Sequence, residues 1–196
     1  MSIVTKKGDS GFTCLPSVKN NTRSNRQIQK DDPAVECLGA LDELDAFLAL
    51  DEIALTSNGN SAFAGIIAEI RKELSAAVMP LSAQSASACK TAAEKTTEKI
   101  ALNTARLEQW ITNLEKENPV CDFVQTWTNP AAAHLNAART ICRRAERRMV
   151  TAIAKNAAAF DSKAEKPKAA LLPWINRLSD LLFMAAVSEE RRLEPV

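Results

Sequence analysis

Asn129 to Val150 read NPAAAHLNAARTICRRAERRMV, and the way this stretch folds constrains the rest of the chain. Its spacing predicts a helix. At 100° per residue, Leu135, Ala138, Ile141, Cys142, Ala145, Met149 and Ile153 fall on one arc of about 120°, the width of a core-facing stripe. Arg139, Arg143, Glu146 and Arg147 fall on an adjoining arc of about 100°. Like charges four residues apart cost an isolated helix roughly 0.2 to 0.5 kcal/mol per pair, and Glu146 offsets only part of that. The stripe therefore faces an anion or is a solvated basic surface, and this helix alone leaves both open.

The surrounding chain narrows the choice. With 196 residues, 46% of them hydrophobic, residues 1–196 are expected to form a single domain around one core. A net charge of +1, from 25 basic and 24 acidic residues, supplies no global field for nucleic acid or an anionic membrane. Any anion site must be local. Few glycines and aromatics, no tyrosine and an abundance of good helix formers predict an all-α fold. The five cysteines form no CxxC pair, which argues against a disulfide scaffold or a zinc site and for reduced thiols in a cytosol. The opening MSIVTKKGDSG has neither the apolar core of a signal peptide nor an Arg-rich amphipathic helix, and no apolar run approaches the length of a membrane span. A cytoplasmic location follows as the expectation.

Residues 1–30 lack helical periodicity. Gly8, Asp9, Gly11 and Pro16 punctuate them, and Asn20, Asn21, Ser24 and Asn25 read as a polar connection. Within them Thr5, Gly8, Asp9, Gly11 and Thr13 spell T-x-x-G-D-x-G-x-T. Its glycines could turn backbone amides inward as an anion-binding nest, with Asp9 free for a metal or a ribose; a simple glycine turn has the same pattern. Asp32 followed by Pro33 signals a helix start. Five helical segments then follow: from Pro33 through Leu55, from Ala62 to about Ser87 with Pro80 as a kink or stop, from about Thr91 to Lys116, the Asn129 stretch, and from about Ala169 to Arg192. Asp42 lies on the flank of the first apolar stripe, where a surface acid is the plain reading. Trp127, in the apolar connection from Glu117 to Pro130, reads as a plug at the bundle's end; Phe123 plugs that end or lines a ligand. Asn156 to Lys168 reads as a loop.

The last segment is apolar nearly all round and hence central, yet it carries Asn176, Arg177, Ser179 and Asp180. An unpaired buried polar group costs about 1 to 3 kcal/mol, so this cluster needs partners; the arginines of the Asn129 stretch and the acid of the first helix are the ones available. His134 is the only histidine and reads as a satisfied core or cap residue. No ExxH pair supports a ferritin-like di-iron centre, and no motif supports a Ser-His-Asp hydrolase.

Taken together, these motifs resemble the human and propanediol-utilisation type of ATP:cob(I)alamin adenosyltransferase. The likeness rests on Thr5, Gly8, Asp9, Gly11 and Thr13; on Lys30 to Pro33; on Asp42, Glu43 and Leu44; on Ala138, Arg139 and Thr140 with Cys142 to Arg148; and on Asn176 to Phe183. It runs the length of the chain in the family's order. It implies a five-helix bundle with an irregular N-terminal nucleotide-binding loop, a homotrimer with active sites between subunits, and ATP, Mg2+ and cobalamin as ligands. A reductase and an adenosylcobalamin-dependent enzyme would be its partners.

By the same resemblance, the T-x-x-G-D-x-G-x-T loop and Lys30 wrap the triphosphate, while Arg139, Arg143, Glu146, Arg147 and Asn176 hold the nucleotide and the loop. Asp42 pairs with Arg139 across the subunit boundary. Phe123 occupies the lower face of the corrin, displacing the lower ligand so that cobalt is more easily reduced to Co(I). Arg144 and Arg148 are left as solvent or structural arginines. Gln125 to Thr128 replaces the family's usual Pro-Gly-Gly turn, and Lys7, Ser10 and Phe12 depart from its usual loop residues. An ATP- or corrinoid-binding homologue with little transfer activity is therefore the alternative.

Overall fold

The computed structural model describes residues 4, 6, 8–19, 22–82, 84–85, 90–120, 126–155 and 165–192. Five helices dominate them: α1 (Pro33–Ser57), α2 (Ser61–Ser82), α3 (Lys90–Glu117), α4 (Pro130–Lys155) and α5 (Glu165–Arg192). Asp32 caps α1 as its sequence predicts, its side chain accepting from the Ala34 amide at 2.8 Å with Pro33 in the first helical position. Asn129 does the same for α4, accepting from the Ala131 amide at 2.9 Å. Both side chains satisfy amides that a helix start leaves without partners.

The helices pack in the spatial sequence α2, α1, α4, α5, α3. Asn58 meets Asn129 while Glu36 meets Arg148, so α1 and α4 run antiparallel. Asn129 meets Glu189 while Glu146 meets Asn176, so α4 and α5 do too. Arg106 of α3 closes the circuit through ion pairs to Glu69 and Glu73 of α2. The core contains Leu41, Leu44, Leu48, Leu55, Ile67, Ile70, Leu107, Leu135, Ile175, Leu178, Leu181 and Leu182, drawn from all five helices. The predicted stripe of α4 is buried as read, except that Ala152 rather than Ile153 takes the last buried position.

The irregular N-terminal loop is a correction. Residues Phe12–Lys19 and Thr22–Gln29 are strands β1 and β2, paired antiparallel from Phe12 opposite Gln29 to Lys19 opposite Thr22. A two-residue strand, β3 (Gln84–Ser85), lies parallel to β1, giving the order β2-β1-β3. Pro16 and the polar run of β2 hide the alternation that announces a strand; backbone pairing, which ignores side-chain polarity, forms the hairpin. α2 continues two residues past Pro80 and ends at Ser82, and α5 begins at Glu165, inside the stretch read as a loop. Contrary to the sequence reading, Ala170–Arg192 has the length and apolarity of a membrane span, but 61% of its apolar window is buried inside the bundle, as suits a central core helix.

Candidate active site

The fold brings four of the predicted residues to two cavities on opposite flanks of α4. On one flank Arg139 and Arg143 line a cavity of about 740 Å3 with Asn136, Trp127, Arg177, Ser179, Asp180 and Phe183. Arg139 is half-buried and oriented from two sides: its Nε donates to Asn136 Oδ1 at 2.9 Å, and its guanidinium carbon stands 6.0 Å from the centroid of the Phe183 ring. That separation is at the outer edge of cation–π range. Burial and then the neighbouring Arg143 charge push the Arg139 pKa down. Among the described residues, neither arginine has an ion pair. Two adjacent guanidiniums, one partly desolvated, are held at a cost that an anion would offset.

The polar cluster of α5 lies beside this cavity and supplies its own order. Asn176 Nδ2 donates to Glu146 Oε1 at 3.0 Å, and Arg177 donates to Asn176 Oδ1 at 2.9 Å and to Asp180 Oδ2 at 2.8 Å. Ser179 Oγ donates to the Asn176 carbonyl at 2.9 Å. The cluster's partners are thus Glu146, Glu108 of α3, whose Oε1 lies 3.8 Å from Arg177 Nε, and its own members, not the α4 arginines and the α1 acid expected from sequence. Asp42 projects to solvent on α1 and makes no ion pair among the described residues. Arg147 is exposed and lines neither cavity.

On the other flank, Thr13 and Lys30 share a cavity of about 550 Å3 with Glu36, Gly39, Glu43, Arg144 and Arg148. Arg144 pairs with Glu43, and Arg148 Nε lies 3.6 Å from Glu36 Oε2. These are the structural roles expected of the two arginines. The preceding turn is tight. Asp9 N donates to Lys6 O at 3.4 Å, Gly11 N to Gly8 O at 3.3 Å, and Lys30 N to Gly11 O at 2.9 Å, tying the turn to the end of β2. Gly11 has φ +82°, a conformation glycine adopts without strain. A Cβ on Gly8 would lie 3.2 Å from Lys30 Nζ, so the glycine lets the ammonium approach the backbone. Asp9 is exposed.

Thr5 and Phe123 lie outside the described residues. His134 is exposed, not a core residue: it sits one position before buried Leu135, where the helix has already turned to solvent. Asn136 and Phe183 were not singled out from the sequence. The i, i+3 spacing of Asn136 to Arg139 was a legible signal, whereas Phe183 was masked by the apolar run around it.

Comparison with known proteins adds a family to this geometry. Residues 3–189 match the family model described as cobalamin adenosyltransferase. The chain is 30% identical over 190 residues to the corrinoid adenosyltransferase PduO of Citrobacter freundii, covering 97% of this chain and 50% of that protein. It is 32% identical over 190 residues to a corrinoid adenosyltransferase of Bacillus subtilis strain 168, covering 95% and 85%. A solved structure, a variant PduO-type ATP:corrinoid adenosyltransferase from Lactobacillus reuteri complexed with cobalamin and ATP, superposes with a TM-score of 0.71 at 25% identity, covering 95% of this chain and 90% of that one. The chain spans about half the length of the PduO relatives it matches.

Proposed function

We propose that this chain, which belongs to the cobalamin adenosyltransferase family, transfers the 5′-deoxyadenosyl group of ATP to the Co(I) of cobalamin, forming adenosylcobalamin and releasing triphosphate. The observation that carries this reading is the Arg139–Arg143 pair, two guanidiniums with no ion-pair partner among the described residues on the wall of a 740 Å3 cavity. In the transfer, the cobalt electron pair becomes the Co–C5′ bond as the C5′–O bond breaks, and triphosphate leaves with that bond's electrons. The reaction asks for alignment and for stabilisation of charge on the leaving group more than for acid or base catalysis. Arg139 and Arg143 supply that stabilisation. Glu146 and Asn176 fix the edge of the site, and Arg147 reaches the nucleotide or the loop from solvent.

The Gly8–Gly11 turn, Thr13 and Lys30 face the opposite flank of α4, so one chain cannot close both groups of residues around one triphosphate. We place the turn and Lys30 of one subunit, with Thr5, against the arginine flank of its neighbour in a homotrimer, where Asp42 pairs with Arg139 across the boundary. Magnesium would enter on the triphosphate, as this ion keeps phosphate and water ligands with one or two carboxylates, and Asp9 is the carboxylate on the turn. Phe123 is assigned to the lower face of the corrin. Each chain is taken as one helical-bundle domain, cytoplasmic, receiving reduced cobalamin with the help of a reductase and passing its product to an adenosylcobalamin-dependent enzyme.

The test is anaerobic mixing with Mg-ATP and chemically reduced cobalamin, following loss of the Co(I) absorption and release of triphosphate. Equal amounts of triphosphate and adenosylcobalamin are expected. ATP binding without product would favour a binding or delivery protein, and no ATP binding would refute both.

A further inference from the structure

The last turn of α5 holds both described ends of the connection between α3 and α4. The Glu190 carboxylate accepts from the Thr128 amide at 2.9 Å, from the Asn129 amide at 3.0 Å and from the Thr128 hydroxyl. One residue on, an Arg191 guanidinium nitrogen donates to the Pro119 carbonyl at 3.2 Å. The same turn engages α4 once more, through Asn129 Nδ2 to the Glu189 carbonyl at 2.7 Å. Consecutive residues of one helix thus grip the departure point and the return point of the connection. Beside each gripped point stands a side chain of the arginine cavity: Val120 next to Pro119, and Trp127 next to Thr128.

We propose that Glu190 and Arg191 are positioning residues for the substrate cavity, a two-point clamp that holds Trp127 and Val120 as its apolar wall. Three features make the clamp more than a helix cap. A carboxylate at the start of α4 would be satisfied by the amides alone, but Glu190 also holds the Thr128 hydroxyl, which fixes the side-chain direction of the residue adjoining Trp127. Burial of Glu190 raises its pKa, yet these three hydrogen bonds outweigh that and lower it, so the carboxylate stays charged and the grip persists through neutral pH. Finally, α5 itself contributes Arg177, Ser179, Asp180, Phe183 and Met184 to the same cavity. The clamp therefore ties the cavity's apolar wall to the helix that bears its polar floor.

The wall lines the same cavity as Arg139 and Arg143, and the apolar surfaces of an indole and a valine suit the macrocycle of a corrinoid more than a triphosphate. On the adenosyltransferase reading, on which this assignment of substrate rests, the clamp sets corrinoid affinity and leaves ATP affinity alone.

The test uses the full chain with its three tryptophans replaced by 5-fluorotryptophan, the Trp127 resonance being assigned by its loss in Trp127→Phe. Glu190→Ala should shift and broaden the Trp127 fluorine resonance while leaving those of Trp110 and Trp174 in place. Unchanged Trp127, or equal changes at all three, overturns the clamp whatever the enzyme does. In the transferase assay, Glu190→Ala should raise KM for cobalamin about ten-fold, the order expected on losing a charge-assisted hydrogen bond, with KM for ATP within about two-fold. Glu190→Gln, which keeps one acceptor, should fall between. Trp127→Ala should have an effect like that of Glu190→Ala, and the double variant should be no worse than Trp127→Ala alone, because the clamp acts through the wall. Additive effects, or equal changes in the two KM values, overturn it. A fluorine response confined to Trp127 in a protein that neither binds nor adenosylates cobalamin would support the clamp and sink the assigned reaction.

Discussion

Asp51 gives the most quantitative test of the fold. It occupies a core position of α1 between Leu48 and Leu55, and all three are 0% exposed. Neither of its carboxyl oxygens has a hydrogen-bond partner among the described residues. Burial raises its pKa from 3.8 to about 7. Between those two values the folded protein keeps a proton that the unfolded chain has released. Unfolding then releases that proton, and stability falls as pH rises from about 4 to about 7, levelling above. A shift of about three units at 1.36 kcal/mol each makes the penalty about 4 kcal/mol at alkaline pH. Asp51→Asn matches the shape and cannot ionise. Urea unfolding of both proteins, followed by circular dichroism from about pH 4.5 to pH 8.5, isolates the effect, because every other carboxylate cancels in the difference. The variant should gain on the parent by up to about 1.4 kcal/mol per pH unit until about pH 7, the folded-state value, and hold a constant advantage above it. A difference that stays flat across the range would refute the reasoning, as would an Asp51 carboxyl carbon that titrates near pH 4 by NMR.

Three further substitutions probe the site. Arg143→Ala should weaken ATP binding at least about ten-fold by calorimetry, since it removes a charge-assisted contact, while thermal unfolding stays near the parent's because the arginine makes no ion pair among the described residues. Gly11→Ala meets no atom within 4 Å but must hold φ +82°. Its only cost is left-handed strain of about 1 to 2 kcal/mol, which should appear as a raised KM for ATP with an unchanged helical spectrum. Glu146→Ala strands the Asn176 amide donor and should cost about 1 to 3 kcal/mol of stability. Asn176→Ala in that background loses only the bond that its Oδ1 accepts from Arg177, so the double variant should fall short of the sum, and full additivity of the two would disprove the pairing.

Much of the helical frame could be read before the structure, and the reason is physical. Stripes such as Leu41, Leu44 and Leu48, or Leu135, Ala138, Ile141, Cys142 and Ala145, repeat at the helical period and are buried as such, because one face of each helix must leave water. The hairpin was not legible. Its stability comes from backbone pairing between Phe12–Lys19 and Thr22–Gln29, and neither Pro16 nor the run Arg23, Ser24, Asn25, Arg26 advertises that. Asp51 was hidden for the opposite reason: a charged residue within an apolar stripe reads as a surface break until burial on every side is seen.

The site itself was half legible, and α4 shows where the limit lies. Its RRAERR run interleaves two kinds of arginine. Taking 100° per residue, Arg144 and Arg148 lie about 140° and 180° round the helix from Arg139, on the flank that meets α1. There Glu43 and Glu36, seven residues apart and so on one face of α1, neutralise them in antiparallel register. No α1 acid of the same chain pairs with Arg139 or Arg143, whose flank instead meets α5. The chain thus neutralises the arginines on the α1 flank and leaves Arg139 and Arg143, in the large cavity, without an ion pair among the described residues. Periodicity could show that α4 carries more positive charge than a helix surface holds cheaply. Which arginines remain open to an anion depends on which neighbour brings carboxylates, and that is set by the packing sequence of the bundle, a long-range property that no window along α4 contains.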